Sequence, residues 1–376
     1  MSQFDTMILY VSVISLSSLF AFASQIVFID NKNLSSRIQK IFFILSFLTA
    51  WLFFAFAGMS NDYEEYKYIY NIVDWTNFYR IWIEPGYALV NLFIKTFDFS
   101  DIQAIIIIKT LIISLVYISI YKYKKIIPLG LAVMGYLCTY YLDAYCMLRI
   151  HLAASILFYA LCDYVIERKP LKLCILVIVV ATIHYSALFV ILPIVISYIF
   201  CRKNNKISLY KYFVLIFILI IILQFYNSIF NILVSYIPVF YKYGQKYNLI
   251  TKNGTGLYHF IYHLPWLLVF YQSRYRIIKC VGHYGDVMVL GLLLAPFSFF
   301  FASLGYKIEV VSRVFVYFMY LWIVVLPVFC SIRINQKTKD SVIVYIATII
   351  WFLISLFVYL QSGALTSAGI DSFIFI

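Results

Sequence analysis

Residues 101–121 read DIQAIIIIKTLIISLVYISIY, an apolar run that is followed at once by Lys122, Lys124 and Lys125. About 20 such residues suffice for one helix to cross a bilayer. Similar runs recur along the whole chain, separated by short clusters of Lys, Arg, Asn and Pro. With 64% hydrophobic and 12% charged residues and a mean hydropathy of +0.94, the chain has too few polar side chains to coat a water-soluble globule. The sequence therefore predicts a protein whose solvent is lipid.

The apolar runs predict helices, because only helices and closed barrels satisfy the backbone in hydrocarbon, and these runs do not alternate as barrel strands do. We expect an all-α polytopic integral membrane helical bundle with about 12 spans, in a range of about 11–14. The expected spans are 7–29, 39–57, 101–121, 126–142, 146–166, 171–184, 186–201, 208–227, 257–272, 284–304, 313–332 and 341–360.

The spans leave no room for a separate soluble domain, so we expect a single polytopic membrane domain over residues 1–376. Its longest connections, 58–100 and 228–256, are predicted to be outer-face loops. Within the first of them, residues 83–98 are apolar but short, and they open with Glu84-Pro85-Gly86. We interpret 83–98 as an interfacial or re-entrant segment. A crossing at this segment would invert the topology of everything downstream.

The distribution of positive charge predicts the orientation. Six alternate gaps between the spans hold 19 of the 29 lysines and arginines, which makes those gaps cytoplasmic by the positive-inside rule. We therefore expect a bacterial cytoplasmic membrane protein with both termini outside and its site facing the periplasm or exterior. The net charge of +13 reflects topology, so no nucleic-acid partner is expected. The seven cysteines form no C-x-x-C pair and are expected to be buried apolar residues.

Ionisable residues at the edges of apolar spans are costly, and they indicate function by default. On the expected outer side stand Asp62, Glu64, Glu65, Glu84, Asp143, Arg149, His151, His184, Glu309 and Arg313. Several of these residues also have a simpler explanation. Asp62, Glu64 and Glu65 fit a solvated acidic loop, and His184 fits an interfacial histidine. Glu309 and Arg313 can form an i,i+4 ion pair with each other. Arg149 is different, since a guanidinium at the mouth of an apolar bundle needs an anion such as a carboxylate or phosphate.

A reaction on a lipid-linked pyrophosphate sugar needs fixed cations beside carboxylates and a histidine. Arg149 and Arg313 supply the two cations. The cations hold the leaving group, and a carboxylate or histidine takes a proton from the attacking hydroxyl. A Gly-rich phosphate loop and an Asp-x-Asp motif are both missing from the sequence, which disfavours a cytosolic nucleotide-sugar transferase. His259 and His263 supply only two ligands, so no metal and no cofactor is expected.

An ordered set of motifs carries a family resemblance. The set is Asn-Asp-Tyr-x-x-Tyr at 61–66, Glu-Pro-Gly-Tyr-x-x-x-Asn at 84–91, Arg-x-x-x-Ala at 149–153, His-x-Ser-Ala-Leu at 184–188 and Ser-Arg with aromatics at 312–318. In these residues the chain resembles the EpsG-like family of exopolysaccharide and capsule proteins, related to the Wzy-type O-antigen repeat-unit polymerases.

The resemblance implies a metal-independent polysaccharide polymerase of the membrane-embedded GT-C-like class. Such a glycosyltransferase joins undecaprenyl-pyrophosphate-linked oligosaccharide repeat units on the outer face of the cytoplasmic membrane. The implied partners are those repeat units, membrane lipids and a chain-length regulator. We expect catalytic roles for Asp62, Glu84, Arg149, His184 and Arg313, and substrate contacts from Tyr63, Tyr66, Tyr87, His151, Ser186 and Glu309.

Two other functions remain open at this stage. A transporter (flippase) of lipid-linked oligosaccharide or polysaccharide would place polar residues along a path through the bundle, where Lys109 is the main interior charge. A glycan O-acyltransferase would need a histidine that an acyl donor can reach.

Overall fold

The computed structural model describes residues 2–26, 32–78, 83–167, 169–196, 202–203, 206–225, 228, 267–269, 271, 273, 285–307, 314–318, 320–335, 339–361 and 364–376. The chain divides into two compact units, the first formed by Met1–Tyr185 with Trp322–Ile376 and the second by Ser186–Leu321. The expectation of one membrane domain over 1–376 stays a prediction.

Helices dominate both units. The first unit contains α1 (Gln3–Ile26), α2 (Lys32–Ala55), α3 (Tyr63–Ile72), α4 (Pro85–Lys95), α5 (Asp101–Lys122), α6 (Leu129–Thr139), α7 (Leu148–Glu167), α8 (Pro170–Ile183), α12 (Trp322–Asn335), α13 (Lys339–Gln361) and α14 (Ala364–Ala368). The second contains α9 (Leu188–Ile196), α10 (Leu209–Gln224) and α11 (Gly285–Lys307). A two-residue antiparallel ladder, Arg202–Lys203 with Lys206–Ile207, precedes α10.

The all-α polytopic prediction is confirmed. Within the described ranges, six helices are long and apolar enough to cross a membrane: Gln3–Gln25, Ser35–Ala55, Asp101–Lys122, Leu148–Glu167, Val314–Ser331 and Val342–Gln361. Shorter apolar helices lie at Leu129–Thr139, Leu171–Ile183, Tyr210–Gln224 and Met288–Leu304. These ten, with α9, fall on eleven of the expected spans. Most of the remaining span, 257–272, lies outside the described residues, so the total of about 12 stays a prediction.

The first unit surrounds α7, which packs against α5 on one side and α8 on the other. Most of α7 is buried, whereas the apolar side chains of α13 are largely exposed; Ile343 and Phe357, for example, are 65% and 63% exposed. Exposed residues of this kind form the surface that a membrane protein presents to lipid. The helix that carries Arg149 and His151 is therefore interior.

Three contacts show that α2 and α5 run antiparallel. Along α2 and the residues just after it, Ser46, Trp51 and Ala57 meet Tyr117, Thr110 and Lys109 in turn. The segment 58–100 therefore leaves and rejoins the bundle at the same end. Its second helix, α4, spans only about 16 Å at 1.5 Å per residue, too short to cross. The interpretation of 83–98 as an interfacial or re-entrant segment stays a prediction.

The C-terminal residues fix the start of that segment. The backbone N–H of Gly58 donates to Ile374 at 2.9 Å, and that of Asn61 donates to Ala368 at 2.9 Å. A Cβ atom on Gly58 would lie 2.1 Å from the Ile376 side chain, so glycine permits this close approach. The turn that leads to Asp62 is thereby held against residues more than 300 positions away.

The two ends of α7 differ in charge. At one end, which we call the lysine end, Asp163 pairs with Lys122 at the end of α5 and with Lys172 at the start of α8. The other end begins with Leu148 and Arg149, and we call it the Arg149 end. The segment 58–100 joins the bundle at the Arg149 end, because Glu84 lies against Arg149.

Candidate active site

The Glu84-Pro85-Gly86 motif docks α4 onto the end of α8. Proline suits the first turn of a helix, where its missing N–H costs nothing, and α4 begins at Pro85. A Cβ atom on Gly86 would lie 2.3 Å from the Thr182 hydroxyl and 2.8 Å from the backbone nitrogen of Ile183. Glycine therefore allows a backbone approach that a larger residue would block. This approach brings Glu84 to the residue after α8, His184.

Glu84 stands between Arg149 and His184. Its Oε2 accepts a hydrogen bond from Nη1 of Arg149 at 2.9 Å, and its Oε1 lies 3.0 Å from Nδ1 of His184. The second contact is a close approach rather than a regular hydrogen bond, since Nδ1 has no partner with hydrogen-bond geometry among the described residues. Side-chain exposure is 10% for Glu84, 20% for Arg149 and 19% for His184. We call these three residues the Glu84 cluster.

The charge state of Glu84 follows from these contacts. Burial opposes its ionisation, but the contact with His184 and the positive charge of Arg149 outweigh burial and hold the pKa of Glu84 below its ordinary value. Glu84 is therefore an anion that neutralises the charge of Arg149.

Two tyrosines form the walls around Arg149. The Tyr66 hydroxyl lies against the backbone N–H of Arg149, and the Tyr87 ring centroid is 5.9 Å from the guanidinium carbon. The two rings meet edge to face at 6.2 Å. Both side chains are almost fully buried, and burial raises the pKa of each phenol, so both remain neutral. They hold the guanidinium in place and present little surface to solvent.

Asp62, the residue before α3, lies beside Cys146, just ahead of α7. The Cys146 thiol contacts both the backbone N–H and the carboxylate of Asp62. Burial, and then the negative charge of Asp62, raise the pKa of that thiol to about 12. Cys146 is therefore protonated at neutral pH and donates to Asp62. The contact ties the first motif of the segment 58–100 to the α7 turn.

Lys109 lies beneath this contact in the interior of α5. It is fully buried, and its Nζ donates to the carbonyl of Ala57 at 2.6 Å. The ring centroids of Phe54, Tyr63 and Tyr145 lie 5.7, 5.9 and 5.6 Å from the ammonium. Three rings and a carbonyl surround the buried amine. Lys109 thus supports both the turn before Asp62 and the turn before Arg149.

Asp143 and His151 form a second pair of polar side chains at the Arg149 end. Asp143 opens the short 3-10 turn Asp143–Tyr145, and its Oδ2 lies 3.1 Å from Nε2 of His151 in the first turns of α7. His151 is fully buried, whereas 28% of the Asp143 side chain is exposed. His151 therefore has a buried contact with Asp143, and its expected contact with substrate stays a prediction.

Ser186, Glu309 and Arg313 are the other site residues predicted from the sequence. Ser186 lies in the second unit, where its hydroxyl is 3.2 Å from that of Tyr317. Glu309 and Arg313 lie outside the described residues, as do His259 and His263. No group of three His, Cys, Asp or Glu with the spacing of a metal site occurs in the part of the chain that the structure describes.

A known protein family matches this chain. The EpsG family model matches residues 40–370, which cover most of the chain. The chain belongs to the EpsG family. This membership identifies it as an exopolysaccharide-related membrane protein. Neither the curated proteins nor the solved structures gave a match.

The structure adds Asp143 and Cys146 to the residues expected at the site and gives Lys109 a place beneath them. Asp143 stood out in the sequence as an outer ionisable residue, and its spacing from His151 was the signal that could have paired them. Cys146 carried no such signal, because a single cysteine in an apolar chain is normally a buried apolar residue.

Proposed function

We propose that this EpsG-family protein is a polysaccharide repeat-unit polymerase. It would join undecaprenyl-pyrophosphate-linked oligosaccharides on the outer face of the bacterial cytoplasmic membrane. The observation that carries the proposal is the Glu84 cluster, in which a mostly buried Arg149 is held by a carboxylate and two tyrosines at the end of the bundle opposite the lysine end.

Arg149 is suited to hold a diphosphate. A guanidinium has five N–H donors in a planar fork, so one edge can be fixed by Glu84 while another meets phosphate oxygens. Glu84 balances the charge of Arg149 when no substrate is present. In the transition state, negative charge grows on the departing pyrophosphate, and a cation fixed beforehand stabilises that charge without reorganisation.

The sidedness of the charges supports a lipid-linked donor. The lysine end contains Lys122 and Lys172, two of the residues that the positive-inside rule places in the cytoplasm. The Glu84 cluster would then face outward, where nucleotide sugars are not the available donors. A sugar carried on a membrane lipid reaches this end directly.

The other residues take roles around Arg149 under this proposal. Asp62 and His184 are candidates to accept a proton from the acceptor hydroxyl, and Tyr63, Tyr66 and Tyr87 shape the walls of the sugar site. Arg313 and Glu309 are proposed to complete the donor site, and Ser186 to contact substrate. A chain-length regulator is the proposed protein partner.

Reconstitution of the purified protein with short undecaprenyl-pyrophosphate-linked repeats tests the proposal. We expect longer glycans to form in proteoliposomes without a membrane gradient, and Arg149→Gln to abolish them. Lys124→Gln, an exposed lysine after α5, is the matched control and should extend chains normally. Movement of the repeats across the bilayer without extension would instead identify a flippase, and acyl transfer to the glycan at constant length would identify an O-acyltransferase.

A further inference from the structure

Asp143 is the carboxylate at the Arg149 end that is best placed to accept a proton. It lies in the turn between α6 and α7, and part of its side chain reaches the surface. The turn that holds Asp143 leads into α7, whose second residue is Arg149, and His151, which contacts Asp143, follows Arg149 by two positions. Asp143 is therefore part of the same group of residues as the guanidinium, at its more exposed side.

Two other carboxylates of this group, those of Glu84 and Asp62, already have partners. Glu84 has one oxygen on Arg149 and the other beside His184. The Asp62 side chain is engaged by Cys146. Within the described residues, the Asp143 side chain has His151 as its hydrogen-bond partner through Oδ2 alone, and Oδ1 is left for another donor. A general base needs such an unoccupied oxygen within reach of a substrate hydroxyl.

The position of His151 explains how Asp143 is held. A carboxylate can only accept, so the Nε2 of His151 carries the proton and donates it to Oδ2. Because His151 is fully buried and rigidly placed on α7, it fixes the direction of Oδ1. The histidine is thus a positioning residue that acts through the aspartate, and it does not itself reach the substrate.

We infer that Asp143 is the general base for the acceptor sugar and that buried His151 orients it, an inference that rests on the proposed polymerase function. The Oδ1 atom takes the proton of the acceptor hydroxyl as its oxygen forms a bond to the anomeric carbon of the donor. The bond from that carbon to the pyrophosphate oxygen breaks, and undecaprenyl pyrophosphate leaves with the electron pair. The proton on Asp143 then passes to water.

Steady-state chain extension by the full-length protein in proteoliposomes tests this assignment, with short undecaprenyl-pyrophosphate-linked repeats as substrate. General-base catalysis contributes about 10²–10⁴-fold, so Asp143→Asn should lower kcat by at least about 100-fold while KM changes by less than about threefold. Asp98→Asn is the matched control. Asp98 is exposed in the same end of the bundle, at φ 57°, a conformation that asparagine also adopts, and the variant should keep wild-type kcat.

Variants of His151 separate positioning from simple structural support. His151→Leu removes the donor to Asp143 and should lower kcat about tenfold, the kinetic equivalent of one hydrogen bond, with KM unchanged. His151→Gln retains an N–H donor, and we expect it to restore most of the lost kcat. A residue with a purely structural role would show equal losses in both variants, in line with their unfolding temperatures. That pattern would overturn the positioning role. The two His151 variants can be compared with each other even if Asp143→Asn folds poorly.

The outcomes for the base and for the polymerase can be told apart. Wild-type protein that extends chains while Asp143→Asn does so at the same kcat overturns the assignment of the base alone. Wild-type protein that extends no chains overturns the polymerase and, with it, this inference. Extension by the wild type, with loss of kcat in Asp143→Asn and recovery in His151→Gln, is the result we expect.

Discussion

The contact between Arg149 and Glu84 predicts a strong energetic coupling between these two residues. At 2.9 Å and with side chains 20% and 10% exposed, the pair is largely removed from solvent. Removing one member of a buried pair costs about 3–5 kcal/mol because the other charge is left without compensation. The remaining exposure of Arg149 places Glu84→Gln at about 3 kcal/mol, the low end of that range.

Arg149→Gln should cost less, about 2 kcal/mol, since Glu84 keeps His184 as a partner. The double variant leaves neither charge unpaired, so we expect its cost to stay near 3 kcal/mol. The coupling free energy of the cycle is then about 2 kcal/mol, which is typical of residues in direct contact.

Denaturant titration of the four proteins in detergent micelles measures this coupling as the free energy of unfolding. The exposed pair Lys169–Glu167 is a matched control, because its atoms are 3.0 Å apart but its side chains are 67% and 36% exposed. We expect no measurable coupling there. If the free-energy costs of Arg149→Gln and Glu84→Gln simply add, the coupling is zero, as it is expected to be for the control pair. That result would refute the argument that Glu84 balances a buried cation.

Three further predictions concern the same unit. The folded protein holds the pKa of Glu84 below its ordinary value of 4.5. Ionised Glu84 therefore stabilises the fold fully above pH 4.5, and this stabilisation is lost as the pH falls through the lower pKa of the folded state. Measured unfolding of the Glu84→Gln variant should lack this part of the pH dependence. Lys109→Met leaves the buried carbonyl of Ala57 without its donor, and the free energy of unfolding should fall by about 1–3 kcal/mol. In a protein whose native cysteines are replaced by serine, a membrane-impermeant thiol reagent applied to whole cells should label Asp98→Cys and leave Lys124→Cys unlabelled; the reverse pattern would contradict the orientation.

Hydropathy was enough to locate most of the helices, because a chain in lipid must bury its backbone in long helical runs whatever its tertiary contacts. The positions of Glu84, Arg149 and His184 beside apolar spans marked them as candidate site residues, since an ionisable group there is costly. The Glu-Pro-Gly motif was informative at the level of local structure. Proline begins α4, and glycine allows its contact with α8.

Burial of individual side chains could not be predicted in the same way. Nothing in the sequence marks Tyr66 and Tyr87 as interior residues, yet both are buried against Arg149. His151 is likewise hidden behind Asp143. These placements depend on how the segment 58–100 folds over α7, a long-range contact that leaves no periodic signal in the sequence. The return of residues 369–376 to the turn at Gly58 is of the same kind.

The most direct test of the central claim, that Arg149 holds the pyrophosphate of a lipid-linked donor, is the glycan length distribution made by Arg149→Gln at wild-type membrane abundance. We expect only single repeat units from Arg149→Gln, with partial extension by Arg149→Lys, because lysine keeps the charge but not the planar fork. A full-length ladder from Arg149→Gln would contradict the claim.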